Sequence, residues 1–125
     1  MAARRFPPRV VRALSVSKIL GIRAGSGPHR FIGVWVVVVG ERVFVRSWYV
    51  KATGWHAVLR EEPRATIHVG DRELRVRTVF IKSARVMDAV DDAYAAKYNT
   101  PASAKWVRGF RMAKCRATTT ELVPA

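Results

Sequence analysis

Arg46 and Ser47 stand side by side at the end of a β-rich run, and Lys51 and Thr53 follow in the next segment. A guanidinium, an ammonium and short hydroxyls are the groups that hold a phosphate, through charge-assisted hydrogen bonds. Arg30, just ahead of the first long apolar run, is a further cation for the same task. Trp48, Tyr49 and Trp55 are interleaved with them, and their flat faces suit a ring system. The competing reading of the set is a solvated strand face with aromatic residues at its rim. Tyr94 and Tyr98, four apart on one helical face, either line a substrate pocket or pack their helix onto the rest of the fold, and the spacing favours packing. His56, next to Trp55, is the third candidate for that pocket.

Other chemistries find no support. His29, His56 and His68 fall in different elements with no metal-ligand spacing, and Cys115 has no cysteine partner, so no metal site is expected. The chain has no nucleophile elbow, phosphate-binding P-loop or dinucleotide glycine fingerprint.

The elements that must position these residues are two hairpins with a short helix between them. Val34 to Val39 runs into Gly40-Glu41 and resumes as Arg42 to Tyr49; a glycine leading a two-residue break supplies the positive φ of a tight hairpin turn. Val43, Val45, Ser47 and Tyr49 share one strand face, Phe44, Arg46 and Trp48 the other. Gly54 to Pro63 predicts one or two helical turns. Ala65 to Val69, a turn at Gly70-Asp71 and Glu73 to Ile81 form the second hairpin. Within it Leu74, Val76, Thr78 and Phe80 oppose Arg75 and Arg77, the alternation of a sheet with one solvated face.

Flanking these, Val10 to Leu20 predicts an amphipathic helix with Val10, Leu14 and Ile19 inward, ended by Gly21, and Ile22 to Ala24 a short strand. Ser83 to Tyr98 predicts a helix with Val86, Val90, Ala93, Tyr94 and Lys97 on one face; Asp88, Asp91 and Asp92 lie in its first half, where the macrodipole favours acids. Thr100-Pro101 is a helix start reaching to about Met112, and Ala117 to Val123 a final strand ended by Pro124. Five or six strands and three or four helices give an α+β, mainly β chain, a small antiparallel barrel with flanking helices.

The chain has 125 residues, the size of one domain, 1–125, with residues 1–20 as a basic N-terminal extension or helix. The longest apolar run, Val34 to Val39, is far too short to span a membrane. One cysteine fits a reducing compartment. The net charge of +14 is concentrated: residues 1–40 carry Arg4, Arg5, Arg9, Arg12, Lys18, Arg23 and Arg30 without an acid, and residues 105–116 carry Lys105, Arg108, Arg111, Lys114 and Arg116, again without one. That field suits an anionic partner, either nucleic acid or a phosphorylated cofactor; the competing reading is an arginine-biased surface, and the absence of a recognisable binding module weighs against nucleic acid. An acid-free, arginine-rich start resembles a transit peptide, but it runs straight into the predicted fold, and a bacterial cytoplasmic protein is expected.

From Arg46-Ser47 through Pro63 the sequence resembles the flavin-binding split-barrel superfamily, which includes the pyridoxamine-phosphate oxidases. It looks most like the deazaflavin-dependent reductase branch, in which a Trp-x-x-x-Leu-x-x-x-Pro-like run precedes a strand and a glycine turn. Trp55, Leu59, Pro63 and Val69-Gly70-Asp71 fit that order. Over residues 32–125 the chain is similar to a bacterial family of unknown function with the same barrel, through Trp35-Val36-Val37, Arg46-Ser47, Ala93-Tyr94-Ala95-Ala96-Lys97-Tyr98 and Thr120-Glu121-Leu122-Val123-Pro124. The resemblance implies a split β-barrel, a homodimer, and a rim groove binding FMN or a deazaflavin for an oxidoreductase. Arg46, Ser47, Lys51, Thr53 and Arg30 would then hold the phosphate, and Trp48, Tyr49 and Trp55 would flank the ring. Two departures leave a cofactor-free small-ligand barrel as a rival. Gly25-Ser26-Gly27-Pro28-His29-Arg30 only echoes the reductases' phosphate loop, and no lysine closes the first hairpin in the oxidase manner. A nucleic-acid binder ranks third.

Overall fold

The computed structural model describes residues 5–27, 30–48 and 54–125. Six strands pair antiparallel: β1 (Ile19–Ala24), β2 (Ile32–Val39), β3 (Arg42–Val45), β4 (Arg64–Val69), β5 (Arg72–Phe80) and β6 (Thr120–Pro124). Their order is β1-β2-β3-β6-β5-β4, and β1 also pairs with β4, so the sheet closes on itself and leaves no edge. The expected mainly-β, α+β antiparallel barrel is what the chain forms. Both hairpins turn where the glycines lie, with φ of 63° at Gly40 and 60° at Gly70, a region a side chain rarely enters.

Small aliphatic side chains fill the interior: Leu20, Ile22 and Ala24 from β1, Val34 and Val36 from β2, Val43 and Val45 from β3, Ala65, Ile67 and Val69 from β4, Val76 from β5 and Leu122 from β6. Among the described residues there are five α-helices, α1 (Pro8–Val16), α2 (Trp55–Glu61), α3 (Ala84–Lys97), α4 (Ala104–Phe110) and α5 (Ala113–Arg116), with a 3-10 turn over Pro101–Ser103. Phe6, Val10 and Leu14 of the α1 region and Trp55 and Leu59 of α2 join the interior cluster. The basic N-terminal segment is therefore part of the core from Phe6 onward.

A second cluster sits outside the barrel wall. Val37 and Phe44 point outward from β2 and β3 and are covered by Val90, Tyr94 and Tyr98 of the α3 region and by Val107 and Phe110 of α4. Hence β2 carries an unbroken apolar run, since both of its faces are buried, while β5 alternates.

Several local expectations need correction. The first helix stops at Val16 instead of reaching Leu20, Ile19 is 57% exposed, and Gly21 lies within β1. Pairing of this segment with both β2 and β4 outweighs its helical periodicity. The helix from Thr100 divides: Thr100 accepts from the Ser103 amide as a cap, α4 ends at Phe110, and α5 follows. The final strand begins at Thr120 rather than Ala117, and β3 ends at Val45, because side-chain hydroxyls replace the ladder there. Thr118 Oγ1 accepts from the Ser47 amide at 2.8 Å and donates to Cys115 O, while Thr119 Oγ1 accepts from Arg46 Nε at 2.8 Å. Asp88 and Asp91 of α3 serve an ion-pair network, and none of the helix's aspartates lies in its first turn, where the macrodipole acts most strongly.

Candidate functional site

Between β2, the end of β3, α2 and α4 lies a cavity of about 480 Å³ lined by Trp35, Trp48, Trp55, Trp106 and Phe110, with Ile32, Gly33, Val34, Arg46, Ser47 and Gly54 completing its wall. All four tryptophans of the chain meet here. Trp48 meets Trp106 edge-on at 4.7 Å between centroids and Phe110 edge-on at 5.5 Å. Trp35 is tilted against Phe110 at 5.9 Å and, on another side, stacks on Tyr98 at 4.1 Å with an interplanar angle of 3°. Edge-to-face and offset contacts of this kind fix ring orientations beyond what area burial alone would do. Gly109 makes room for the indole of Trp48: a Cβ there would lie 2.1 Å from Trp48 Cη2.

The cavity is apolar by construction. Trp106 and Phe110, four apart on α4, present neighbouring faces, and Trp35 projects from the outer side of β2 between inward Val34 and Val36. An apolar, aromatic-walled recess of this size has the dimensions and lining of a small-molecule pocket. Its polar wall offers less. The Arg46 side chain is fully buried, and its guanidinium donates four bonds: Nε to Thr119 Oγ1, Nη1 to Asp91 Oδ1 and to Phe110 O at 2.9 Å, and Nη2 to Met87 O at 2.9 Å. Asp91 also accepts from Arg116, which reaches Asp88 at 3.1 Å. Arg46 thus ties β3 to α3, α4 and the approach to β6, and the expectation that it presents an open cation to a phosphate is corrected.

The other expected site residues divide. Ser47, Trp48 and Trp55 are brought together at the cavity. Tyr49, Lys51 and Thr53 lie outside the described residues, as do Arg4 and His29. Arg30 is exposed and is not among the cavity's lining residues. Tyr94 and Tyr98 are corrected as pocket residues, because their hydroxyls are engaged by the barrel wall. Tyr94 donates to Trp35 O at 2.7 Å; Tyr98 accepts from the Val36 amide at 3.0 Å and lies 2.7 Å from Lys18 O. Burial pushes both phenols well above their ordinary value, more for Tyr94, where Tyr98 adds to it.

His56 is half-buried, packs edge-on against the Phe80 ring at 5.3 Å and the Trp55 ring at 6.0 Å, and is not among the cavity's lining residues. Burial, then the Arg60 charge, lower its pKa, and its buried Nε2 has no hydrogen-bond partner in the structure. Burial also pushes the Cys115 thiol up, although Arg46 and Lys114 oppose the shift, so it is no activated nucleophile. Sequence reasoning missed Trp35 and Trp106 as cavity walls. The signal for Trp35 was a tryptophan inside an otherwise aliphatic run, and for Trp106 the four-residue spacing to Phe110.

The closed antiparallel six-stranded topology with an aromatic recess at the wall defines a small antiparallel β-barrel with flanking helices. Residues 14–122 match DUF2255, a family of uncharacterized proteins conserved in bacteria, and the chain belongs to that family. Its fold is similar to that of a conserved hypothetical protein from Mycobacterium tuberculosis, at 15% identity and a TM-score of 0.61 over 98% of this chain and 81% of the other. It is also similar to that of a FAD-binding protein from Mesorhizobium loti, at 12% identity and a TM-score of 0.59 over 100% of this chain and 94% of the other. No curated protein matches the sequence significantly. Among the described residues no helix is long and apolar enough to cross a membrane, and no cluster of candidate metal ligands forms.

Proposed function

We propose that the chain is an oxidoreductase-type barrel that seats the ring of FMN or a deazaflavin in the tryptophan cavity. The observation that carries this reading is the recess itself, in which Trp35, Trp48, Trp55, Trp106 and Phe110 surround a space suited to a planar ring. The flavin bound by the Mesorhizobium loti protein of similar fold supports the class of ligand. The ring part of such a cofactor fits these residues; its phosphate falls to Ser47, Lys51, Thr53 and Arg30, because the Arg46 donors are engaged internally. Bound there, the cofactor would supply the hydride chemistry, and the protein would orient the ring and exclude water. The same reading carries a homodimer, in which two barrels complete each groove.

Titrating the purified chain with FMN and with a deazaflavin tests it. Quenching of cofactor and tryptophan fluorescence with a saturable thermal shift is expected, and Trp48→Ala should weaken the binding. Protein that gives neither signal with either cofactor would sink the proposal. The internal engagement of Arg46 favours the second reading, a cofactor-free barrel for an uncharged aromatic ligand. Under that reading a planar aromatic without phosphate binds the same cavity at least as tightly as FMN.

A further inference from the structure

A second recess lies elsewhere on the barrel, and the ring-binding reading makes no use of it. Arg64 of β4 stands directly opposite Arg77 of β5, and Thr66 stands opposite both Arg23 of β1 and Arg75 of β5. These positions alternate with inward Ala24, Ala65, Ile67 and Val76, so all four arginines project from the outer face. Arg64, Arg75 and Arg77 are exposed and Arg23 is half-buried, its guanidinium held over the Phe31 ring at 4.7 Å. Together they line an open trough of about 840 Å³, with Gly25, Ser26 and Gly27 at its rim. Three adjacent strands and one step along β5 confine the four side chains' origins to a patch of roughly 10 Å by 7 Å.

Like charges set directly opposite one another destabilise an antiparallel pair. No side-chain carboxylate relieves this pair: among the described residues the ion pairs join Arg42 to Glu121, Arg46 to Asp91, and Arg116 to Asp88 and Asp91. Glu62 accepts from the Ser26 amide at 3.2 Å on the loop side, and Glu73 faces His68, one pair further along the hairpin. The arrangement therefore concentrates positive charge where the fold alone would avoid it. It is also bounded. Val123 lies across from Arg77 on β6, Val79 follows on β5, and the His68–Glu73 pair ends it in the other direction. Among the described residues of these strands no basic stripe continues to track a polymer backbone, and four arginines lining one trough suit a compact, multiply charged anion.

We propose that this trough binds a diphosphate group, free or carried on a small molecule, through Arg23, Arg64, Arg75 and Arg77. In the strand order β1-β2-β3-β6-β5-β4 the β4–β5 hairpin lies across the barrel from β2 and β3, so the site is separate from the tryptophan cavity. Calorimetric titration of the full chain with sodium pyrophosphate, at fixed ionic strength, tests it, with adenosine diphosphate as a second arm. One saturable site is expected, weakened at least about tenfold in Arg64→Gln/Arg77→Gln and unchanged in Arg108→Gln, an exposed arginine of α4. Tighter binding of the nucleotide than of pyrophosphate would identify the carried form, and the reverse the free form. Without ligand, Arg77→Gln should melt no lower than the wild type, since it removes one of two opposed cations, which separates lost binding from lost folding. Absence of saturable binding, equal binding of sulfate, equal loss in Arg108→Gln, or preference for a short oligonucleotide at physiological salt would each overturn the proposal.

Discussion

The two hairpins of this barrel share one backbone plan and differ in what covers them. On β2 and β3 the outward side chains Val37 and Phe44 are buried again and Trp35 is half-buried, beneath α3 and α4. On β4 and β5 the outward side chains are Arg64, Thr66, Arg75 and Arg77, which face solvent. Inward residues on both are mostly aliphatic, with Thr78 and Phe80 of β5 as exceptions, so closure of the barrel does little to distinguish the halves. The difference is in the second layer. Covering one half creates an aromatic cavity and a buried polar network; leaving the other half bare creates a cationic surface.

That contrast can be broken most severely at Asp91. Asp91→Ala leaves the fully buried Arg46 guanidinium without its carboxylate and should cost about 3–5 kcal/mol, read as a lowered urea midpoint. Arg75→Ala on the bare half should change stability by no more than about 0.5 kcal/mol in the same assay. Equal losses at the two sites would end the distinction between a covered and an uncovered half.

Gly109→Ala sharpens the comparison within the covered half. The new methyl would meet the Trp48 indole, and displacing that ring should cost about 1–3 kcal/mol, offset in part by about 1 kcal/mol of improved helix propensity. Tryptophan fluorescence should shift as Trp48 leaves its edge-on contacts, and ring-ligand binding should weaken more than stability does. An unchanged emission spectrum would show that the indole does not rest on Gly109.

The smallest effect is a pH dependence at the seam between α1, β2 and α3. Lys97 Nζ donates to Leu14 O at 3.0 Å and Val36 O at 2.7 Å, and burial, then the Lys18 charge, push its pKa from 10.5 down to about 8. The unfolded chain therefore binds more protons than the folded one between about pH 8 and 10.5, and this group's contribution to stability grows as pH rises across that window and is lost as pH falls through 8. The half-exposed position keeps the amplitude modest. The raised phenols of Tyr94 and Tyr98 act in the opposite sense above pH 10, where the unfolded tyrosines ionise first. Melting temperatures taken from pH 7 to 9.5 should climb relative to Lys97→Met; parallel curves would assign Lys97 no part in the slope.

Much of the molecule was legible in the order of its residues. Glycine turns at 40 and 70, alternation along β5, the capped start of α3 at Ser83 and the apolar run of β2 are local signals, set by backbone sterics and by which faces can be wet. They determined the hairpins, their registers and the antiparallel, mainly-β class. Trp48 and Trp55 stood out together as aromatics flanking the end of the first hairpin, and both line the cavity.

Only the tertiary structure decided what each outward side chain meets. Arg46 reads identically in sequence whether it faces a ligand or Asp91, since nothing local records that α3, α4 and the Thr118–Thr119 segment converge on it. Tyr94 and Tyr98 likewise show a helical stripe, and which backbone amide or carbonyl receives their hydroxyls depends on how α3 crosses β2. The arginines of β4 and β5 are ordinary surface residues until barrel closure brings β1 alongside and sets Arg23 near them. Side-chain period is a property of a segment, whereas a partner across the fold is fixed only when distant segments close on one another.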